Sequence, residues 1–179
     1  MKQVGNVYGE ALYSLACEEG LSHVCLQELT ALEYSFSQEP KFLRLLDATN
    51  ISKEERCSIL DESFRGKVQP YVLNFLKLLS EKSYTRYFRD CCTAFRNRYN
   101  EDNGILPVTA VTAVPLEKEK QAALAEKLSV ITGKTVQLHN RINPEVLGGI
   151  RLDYSGVRLD DTIAHRLEDI RARLTETVL

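Results

Sequence analysis

The spacing of apolar residues changes near Gly104, and this change constrains the fold more than any other feature of the sequence. Before Gly104, apolar side chains recur every three or four residues, which is the period of an amphipathic α-helix. After it come β-branched runs and alternating apolar and polar residues, as is typical of strands with one packed face. The sequence therefore predicts an α+β chain with a helical domain over 1–104 and a smaller α/β domain over 105–179.

Six helices are expected in the first domain, where they form a bundle. The most specific start signal is Ser52 followed by Glu55, a capping box in which each side chain satisfies a free backbone N–H of the first turn. Pro40 and Pro70 suit the first turns of the third and fifth helices, because no partner is needed there for a backbone N–H. Gly104 suits the end of the sixth helix.

The second domain is expected to have the element order βαβββα. Its first strand is rich in β-branched residues, and Ser155-Gly156 can turn one later strand back into the next as a hairpin. The sheet should have one packed face and one wet face. The predicted elements are a strand over 108–114, a helix ending at Gly133, strands around 136–142, 150–154 and 157–159, and a last helix capped by Asp160 or Asp161.

The stretch SVITGKT, residues 129–135, ends with the same three letters as a phosphate-binding loop. Such a loop requires another glycine five positions before Gly133, where this chain has Leu128, and it follows a strand and precedes a helix. Here a helix is predicted before Gly133 and a strand after it, so no helix N-terminus faces a phosphate. We interpret Gly133 as a helix end, and an enzyme that uses a nucleotide near Gly133 is the rival hypothesis.

Residues that could carry other chemistry form no recognisable motif. The five cysteines are odd in number and include no CxxC pair, so neither a disulfide framework nor a zinc site is indicated. Cys91 and Cys92 point about 100° apart on a helix, and we interpret them as buried apolar side chains. His23, His139 and His165 belong to no triad or ligand motif. We expect no catalytic residue, no metal and no cofactor.

Charge and hydropathy exclude further classes of protein. The formal net charge is −2, and Arg86, Arg89 and Arg96 lie opposite an aromatic stripe on one predicted helix. They indicate a solvated face, so we expect no nucleic-acid partner. The apolar runs are far shorter than the roughly 20 residues that span a bilayer, and the N-terminus has no signal-peptide pattern. We therefore expect any membrane association to be indirect.

Excess apolar surface is the feature that points to a protein partner. Apolar residues between Pro70 and Ser80 cover an arc of about 220°, whereas one core contact requires roughly 100°. On the first helix, Gly5, Gly9 and Ala16 form a strip of small residues that another helix backbone can approach closely. Two interpretations remain open here: a central core helix, or a groove that receives a partner's amphipathic helix.

Several motifs resemble those of one known family. The stretch NPEVLGGIRL over 143–152 is similar to the family's proline and Gly-Gly strand signature, and Asp161-Thr162-Ile163 is similar to the opening of its last helix. YGEALYSLA over 8–16 and NFLKLL over 74–79 are similar to its first and fifth helices. Over nearly its whole length the chain resembles the delta subunit of bacterial F-type ATP synthases, called the oligomycin-sensitivity-conferring protein in mitochondria.

The resemblance implies a non-catalytic stator subunit with a six-helix N-terminal bundle and a small α/β C-terminal domain. Such a subunit joins the catalytic head to the peripheral stalk at the cytoplasmic face of the bacterial cell membrane. It resists rotor torque during proton- or sodium-driven ATP synthesis. The alternative function is that of a soluble helical adaptor unrelated to ATP synthase.

The resemblance also implies two partner-binding surfaces. The first and fifth helices receive the N-terminal helix of an alpha subunit, and the C-terminal domain joins the b subunits. The groove for the alpha helix is expected to comprise Tyr8, Ala11, Leu12, Leu15, Val72, Phe75, Leu76 and Leu79. The surface for the b subunits is expected to comprise Gly148, Gly149, Ile163 and Leu167.

Overall fold

The chain divides into two compact units, Met1–Tyr99 and Asn100–Leu179. A computed structural model describes residues 2–48 and 51–168. The first unit is helical in its described part, and the second contains a four-stranded mixed sheet with a helix packed on it.

The helices of the first unit follow one another with short connections. A single turn of 3₁₀ helix, Thr85–Tyr87, precedes the last of them. In the described residues the helices are α1 (Lys2–Glu18), α2 (Ser22–Gln38), α3 (Pro40–Leu46), α4 (Lys53–Phe64), α5 (Pro70–Glu81) and α6 (Phe88–Asp102).

Local signals in the sequence place several of these helix ends. The capping box at α4 is confirmed: the Glu55 N–H donates to Ser52 Oγ at 3.1 Å, and the Ser52 N–H donates to the Glu55 carboxylate at 3.1 Å. Pro40 and Pro70 are the first residues of α3 and α5, which confirms that they occupy the first turns of these helices. α6 ends at Asp102, and Gly104 follows with a φ of 63° that suits glycine.

The core of the first unit is filled by one apolar cluster to which all six described helices contribute. Within it Phe36 stacks on Phe42 at 5.6 Å between ring centroids and meets Phe64 and Phe88 edge to face. Such ring pairs add specific geometry to the burial of a large apolar area. The largest fully buried apolar side chains in this unit are Leu29, Leu46, Leu60, Val72, Leu79 and Phe95.

The strip of small residues on α1 is used inside the chain, against α6. A Cβ atom added at Gly9 would lie 2.4 Å from the Cys91 carbonyl oxygen, and one added at Gly5 would lie 2.4 Å from the Asp90 Cβ. Real side chains do not approach so closely, so only glycine permits this contact between the two helices. The predicted close approach of another helix is therefore confirmed, and that helix is α6.

The second unit contains strands β1 (Ile105–Thr112), β2 (Thr135–Ile142), β3 (Gly149–Tyr154) and β4 (Val157–Thr162). Their order in the sheet is β2-β1-β3-β4, with β1 parallel to β2 and antiparallel to β3, and β3 antiparallel to β4. Helix α7 (Lys118–Thr132) joins the two parallel strands. One face of the sheet packs on α7 through alternate residues of β1, namely Leu106, Val108 and Ala110.

Several boundaries in the second unit differ from those predicted. β1 spans Ile105–Thr112 rather than 108–114, so it begins before Pro107 and ends two residues earlier than expected. β4 continues to Thr162, because Asp160 and Asp161 stay paired with β3. The next helical stretch begins at Ile163, and its cap is Thr162: the His165 N–H donates to Thr162 Oγ1 at 3.3 Å. The predicted cap at Asp160 or Asp161 is therefore wrong, and Asp160 instead accepts hydrogen bonds from the Thr162 N–H and hydroxyl.

The second unit also contains a hydrogen-bonding node, centred on the side chain of Asn140, that the sequence pattern does not predict. Asn140, on β2, donates from Nδ2 to the Ala110 carbonyl and to Thr112 Oγ1, both at 2.9 Å. Its Oδ1 accepts from the Leu116 N–H at 2.9 Å. One side chain thus connects two strands to the segment that leads into α7.

Gly9→Ala is expected to destabilise the first unit by about 1–3 kcal/mol, because its methyl group collides with the α6 backbone. An alanine in an ordinary helix interior is instead favoured over glycine by roughly 1 kcal/mol. Ser14→Ala, at an exposed position of α1, is the control. Urea unfolding followed by circular dichroism measures both, and a Gly9→Ala chain as stable as the parent would contradict the α1–α6 contact.

Asn140→Ala is expected to lower the free energy of unfolding of the second unit by about 1–3 kcal/mol, because it removes a hydrogen-bond partner from the buried residues Ala110 and Thr112 and from the Leu116 N–H. Hydrogen exchange gives a local readout: the Leu116 amide should lose its protection selectively. Gln137→Ala, at an exposed position of the same strand, should leave that amide protected. Equal protection of Leu116 in the Asn140→Ala and Gln137→Ala chains would refute the role of this node.

Candidate partner-binding site

A groove runs between α1 and α5, with a cavity volume of about 190 Å³. The two helices are antiparallel here, since Tyr71 at the start of α5 lies beside Glu19 after the end of α1, and Tyr84 after α5 lies beside Tyr8. The groove is lined by Tyr8, Ala11, Leu12, Leu15, Tyr71, Asn74, Phe75 and Leu78.

The four residues expected from α1 all line this groove. Leu12 is buried and forms part of its base, whereas Ala11 and Leu15 are exposed and Tyr8 is half-buried. Leu15 has 38% of its surface accessible. α1 therefore offers one apolar wall that the described residues do not cover.

The α5 side of the groove differs from the expected set. Val72, Leu76 and Leu79 are buried in the core and do not line the groove, although Phe75 does. Their places on the groove surface are taken by Tyr71, Asn74 and Leu78, which lie on the adjacent stripe of the helix. The correction has a simple cause: residues one apart on a helix differ by about 100° in direction, and a 220° apolar arc does not reveal which edge faces the core.

Phe75 belongs to both surfaces of α5. It is 6% exposed and packs in the core cluster of the first unit, yet it also lines the groove. Leu78, three residues further along, is 39% exposed. The groove thus has a fixed base of buried side chains and a rim of accessible apolar ones, which is the surface that the apolar face of an amphipathic helix requires.

The two ends of the groove differ in chemistry. At one end the Tyr71 hydroxyl hydrogen-bonds the Glu19 carboxylate, and this bond, together with burial, raises the pKa of Tyr71. At the other end Tyr8 meets Tyr84 edge to face at 5.8 Å, and Tyr84 meets Tyr87 at 5.9 Å. The apolar periodicity of α1 and α5 does not predict this aromatic end, because Tyr84 and Tyr87 belong to neither helix.

The four residues expected to contact the b subunits separate into two kinds. Gly148 and Gly149 serve internal packing: a Cβ at Gly148 would lie 2.9 Å from Ile163 Cδ1, and one at Gly149 would lie 2.3 Å from the Asp161 carbonyl oxygen. Ile163 and Leu167 are about half exposed. They lie one turn apart on the helical stretch that begins at Ile163, so they share a face.

Leu147 adds to this second surface and was not predicted. It is 63% exposed and immediately precedes Gly148, whose carbonyl accepts a hydrogen bond from the Ile163 N–H at 3.1 Å. Leu147 has a φ of 60°, a left-handed conformation that a branched apolar residue rarely adopts. Leu147, Ile163 and Leu167 together are called the Leu147 surface below.

The residues that could suggest a phosphate-binding loop or a reactive thiol have structural roles instead. Gly133 ends α7 with a φ of 66°, and β2 begins at Thr135, so the interpretation of Gly-Lys-Thr as a helix end is confirmed. Burial raises the pKa of the Cys91 thiol to about 11 and also raises that of Cys92. These two thiols are buried as predicted and are poor nucleophiles.

The arginines of α6 are engaged in ion pairs rather than aligned as a basic strip. Arg96 and Arg89 both pair with Glu33 of α2, at 2.7 and 3.5 Å. Among the described residues, no group of three or more acidic, cysteine or histidine side chains is arranged to hold a metal ion. No described helix has the length and hydropathy needed to cross a membrane.

Known proteins are similar in sequence to this chain. Residues 4–174 match the family model for the ATP synthase delta (OSCP) subunit. The chain is 31% identical over 176 residues to ATP synthase subunit delta of Alkaliphilus oremlandii, with 98% of each protein covered. It is 30% identical over 176 residues to ATP synthase subunit delta of Gloeobacter violaceus, with 97% of this chain and 95% of that protein covered.

The fold is shared as well. A chain of the cryo-EM structure of the Toxoplasma gondii mitochondrial ATP synthase hexamer matches with a TM-score of 0.77 at 17% identity, covering 96% of this chain and 97% of that one. This match supports the helix-rich architecture with a helical N-terminal region and a four-stranded mixed sheet. By its sequence match over nearly its whole length, the chain belongs to the ATP synthase delta (OSCP) subunit family and is a non-catalytic subunit of the ATP synthase stator.

Proposed function

We propose that the groove between α1 and α5 holds the N-terminal amphipathic helix of an alpha subunit of the ATP synthase, and that the second unit attaches to the b subunits. The observation that carries the first part is the uncovered apolar rim of the groove above a buried base. In this arrangement the chain joins the catalytic head to the peripheral stalk.

The shape of the groove suits a helix. Tyr8 and Leu15 lie seven residues apart on α1, about two helical turns, so the accessible wall extends over about 10 Å, at roughly 1.5 Å of rise per residue. An amphipathic helix presents apolar residues at three- and four-residue spacing over such a length. Asn74 is the polar lining residue on α5, and it can accept or donate a hydrogen bond at the groove surface.

The Leu147 surface supports the second part of the proposal. Its three side chains are exposed aliphatic groups at the end of the sheet where β3 begins. Exposed apolar groups that cluster in this way are typical of protein interfaces. We infer that this surface contacts the b subunits, and that Gly148 and Gly149 shape it through their close packing on Ile163 and Asp161.

The proposal includes the number and order of the helices and strands in each domain. We infer that 1–104 is a six-helix bundle and 105–179 a βαβββα domain, and that each folds by itself. The six described helices of the first unit support the bundle. The helical stretch over 163–168 supports the last helix, whose remaining residues lie outside those described.

A stator joint needs affinity and stiffness, and it needs no reacting group. The rotor applies torque to the head, and the joint must transmit that torque without dissociating. A nanomolar joint corresponds to about 12 kcal/mol of binding free energy, and contacts at two surfaces of one assembly increase retention further. We place the chain at the cytoplasmic face of the bacterial membrane, held there through its partners. The family assignment favours this role over an unrelated adaptor and over a nucleotide-using enzyme.

Leu78→Glu is expected to weaken binding of a peptide from the alpha-subunit N-terminus by at least tenfold, about 1.4 kcal/mol, because it places a charge on the apolar rim. Isothermal titration calorimetry on the full chain measures the affinity. Leu78 is preferable to Phe75 or Leu76 for this test, since a charge at those buried positions would unfold the bundle.

Leu45→Glu is the matched control. Leu45 lies on α3, and its exposed fraction of 41% is close to the 39% of Leu78, but it does not line the groove. Its substitution should leave the peptide affinity unchanged. Equal affinities of the Leu78→Glu and Leu45→Glu chains would rule out the α1–α5 groove as the binding site.

Leu167→Glu is expected to reduce retention of the chain on immobilised b subunits by about tenfold, because it introduces a charge into the Leu147 surface. Val130→Glu, at a more exposed apolar position on α7, serves as the control. Retention can be measured by surface plasmon resonance. If both substitutions act equally, or neither acts, the Leu147 surface is not the site of b binding.

A further inference from the structure

The α1–α5 groove is electrically asymmetric along its length. Glu19 lies four residues after Leu15, one helical turn further along the groove side of α1, and Glu18 precedes it. Both carboxylates are exposed, and neither takes part in the ion pairs found within the part of the chain that the structure describes. The Glu18–Glu19 end of the groove therefore carries uncompensated negative charge.

The backbone of α1 reinforces this charge. Glu18 is the last residue of α1, and the last turn of the helix contains no basic side chain. The C-terminal end of a helix behaves as a partial negative charge of about one half. The carboxylates and the helix end therefore act with the same sign. The C-terminal end of α5 contributes the same partial charge at the opposite end of the groove, so the asymmetry comes from the two carboxylates.

The neighbouring start of α5 does not cancel this charge. Its N-terminal end is positive, but the backbone N–H of Gln69, immediately before α5, already donates to the Glu28 carboxylate at 2.9 Å. Glu19 accepts a hydrogen bond from the Tyr71 hydroxyl, which is neutral and adds no positive charge. A carboxylate has further acceptor sites, so Glu19 can bind a cation while keeping this hydrogen bond.

At the opposite end of the groove, among the described residues, α5 ends with a single acidic residue, Glu81, whose carboxylate contacts the Cys57 thiol of α4. This end is bordered by Tyr8 and Tyr84, and beyond them the Arg86 guanidinium lies 5.0 Å from the centre of the Tyr87 ring. Lys82 caps α5 at this end and is exposed. This end therefore offers aromatic edges and cationic groups, which do not attract a cationic segment.

We propose that the groove selects one direction of the helix it holds: the more basic end of the bound helix lies against Glu18 and Glu19, and its less basic end lies against Tyr8 and Tyr84. The inference rests on the proposed function of the groove, and it adds the chemistry that sets polarity. Apolar contacts along the groove supply the affinity, whereas charge at the ends distinguishes two opposite orientations.

The orientation can be measured with a spin label on Cys17. Cys17 is exposed at the acidic end, whereas Cys25, Cys91 and Cys92 are buried, and a Cys57→Ser background removes the remaining accessible thiol. The full chain is titrated with an isotopically labelled peptide from the alpha-subunit N-terminus. The resonances of the more basic end of the peptide should broaden most; strongest broadening at the other end, or equal broadening at both, would overturn the proposed polarity.

Charge removal provides the second measurement. Glu18→Gln with Glu19→Gln should weaken the peptide affinity by about fivefold at low salt and reduce its salt dependence, because exposed ion pairs are weak and screened. Glu10→Gln, on the opposite side of α1, is the matched control and should change neither. Equal salt dependence of the double variant and the control would contradict the proposal.

These outcomes distinguish a groove that binds without selecting a direction from a groove that does not bind the helix. If Leu78→Glu weakens binding but neither the broadening nor the glutamine variants show a preference, the groove binds the helix without selecting its direction. If Leu78→Glu has no effect, or if the peptide does not bind the full chain, then the proposed function of the groove is wrong and the polarity falls with it.

Discussion

The contact of α1 with α6 at Gly5 and Gly9 is the constraint on which the helical unit depends. With no side chain at either position, α1 approaches the α6 backbone closely, and this fixes how α1 is rotated about its own axis. Its neighbouring stripe, Tyr8 to Leu15, then lies beside α5 and remains open. The groove therefore exists because a different face of the same helix is packed so tightly.

Much of this architecture could be predicted from residues with a local physical signature. The capping box at Ser52, the helix end at Gly133 and the hairpin at Ser155-Gly156 each depend on a conformation that few residue types provide. Positions that depend on distant partners could not be predicted. Asn140 looked like an ordinary strand residue, and only the fold brings Ala110, Thr112 and Leu116 to it. The last helix was assigned the wrong cap because Asp160 and Thr162 are both good capping residues, and the pairing of β4 decides between them.

The structure has an apolar groove between the two helices that the sequence indicates, although its lining differs in part from the expected residues. Periodicity and resemblance both pointed to the first and fifth helices, and the structure places an open groove there. They did not indicate that Val72, Leu76 and Leu79 face inward, because leucine and valine suit a core and an interface equally. The two glycines of the second surface also have close neighbours within the chain, and a glycine that permits close packing looks the same in sequence whether its neighbour belongs to a partner or to the same chain.

Phe75 lies in the core and in the groove at once, and this links two quantities that are usually separate. A ligand that binds only the folded state raises its stability in proportion to the logarithm of ligand concentration. A change at Phe75 alters both the unfolding equilibrium and the surface offered to the ligand, so selection acts on the two together. An unassembled subunit would then be measurably easier to unfold than an assembled one, and cellular proteases would remove the excess copies first.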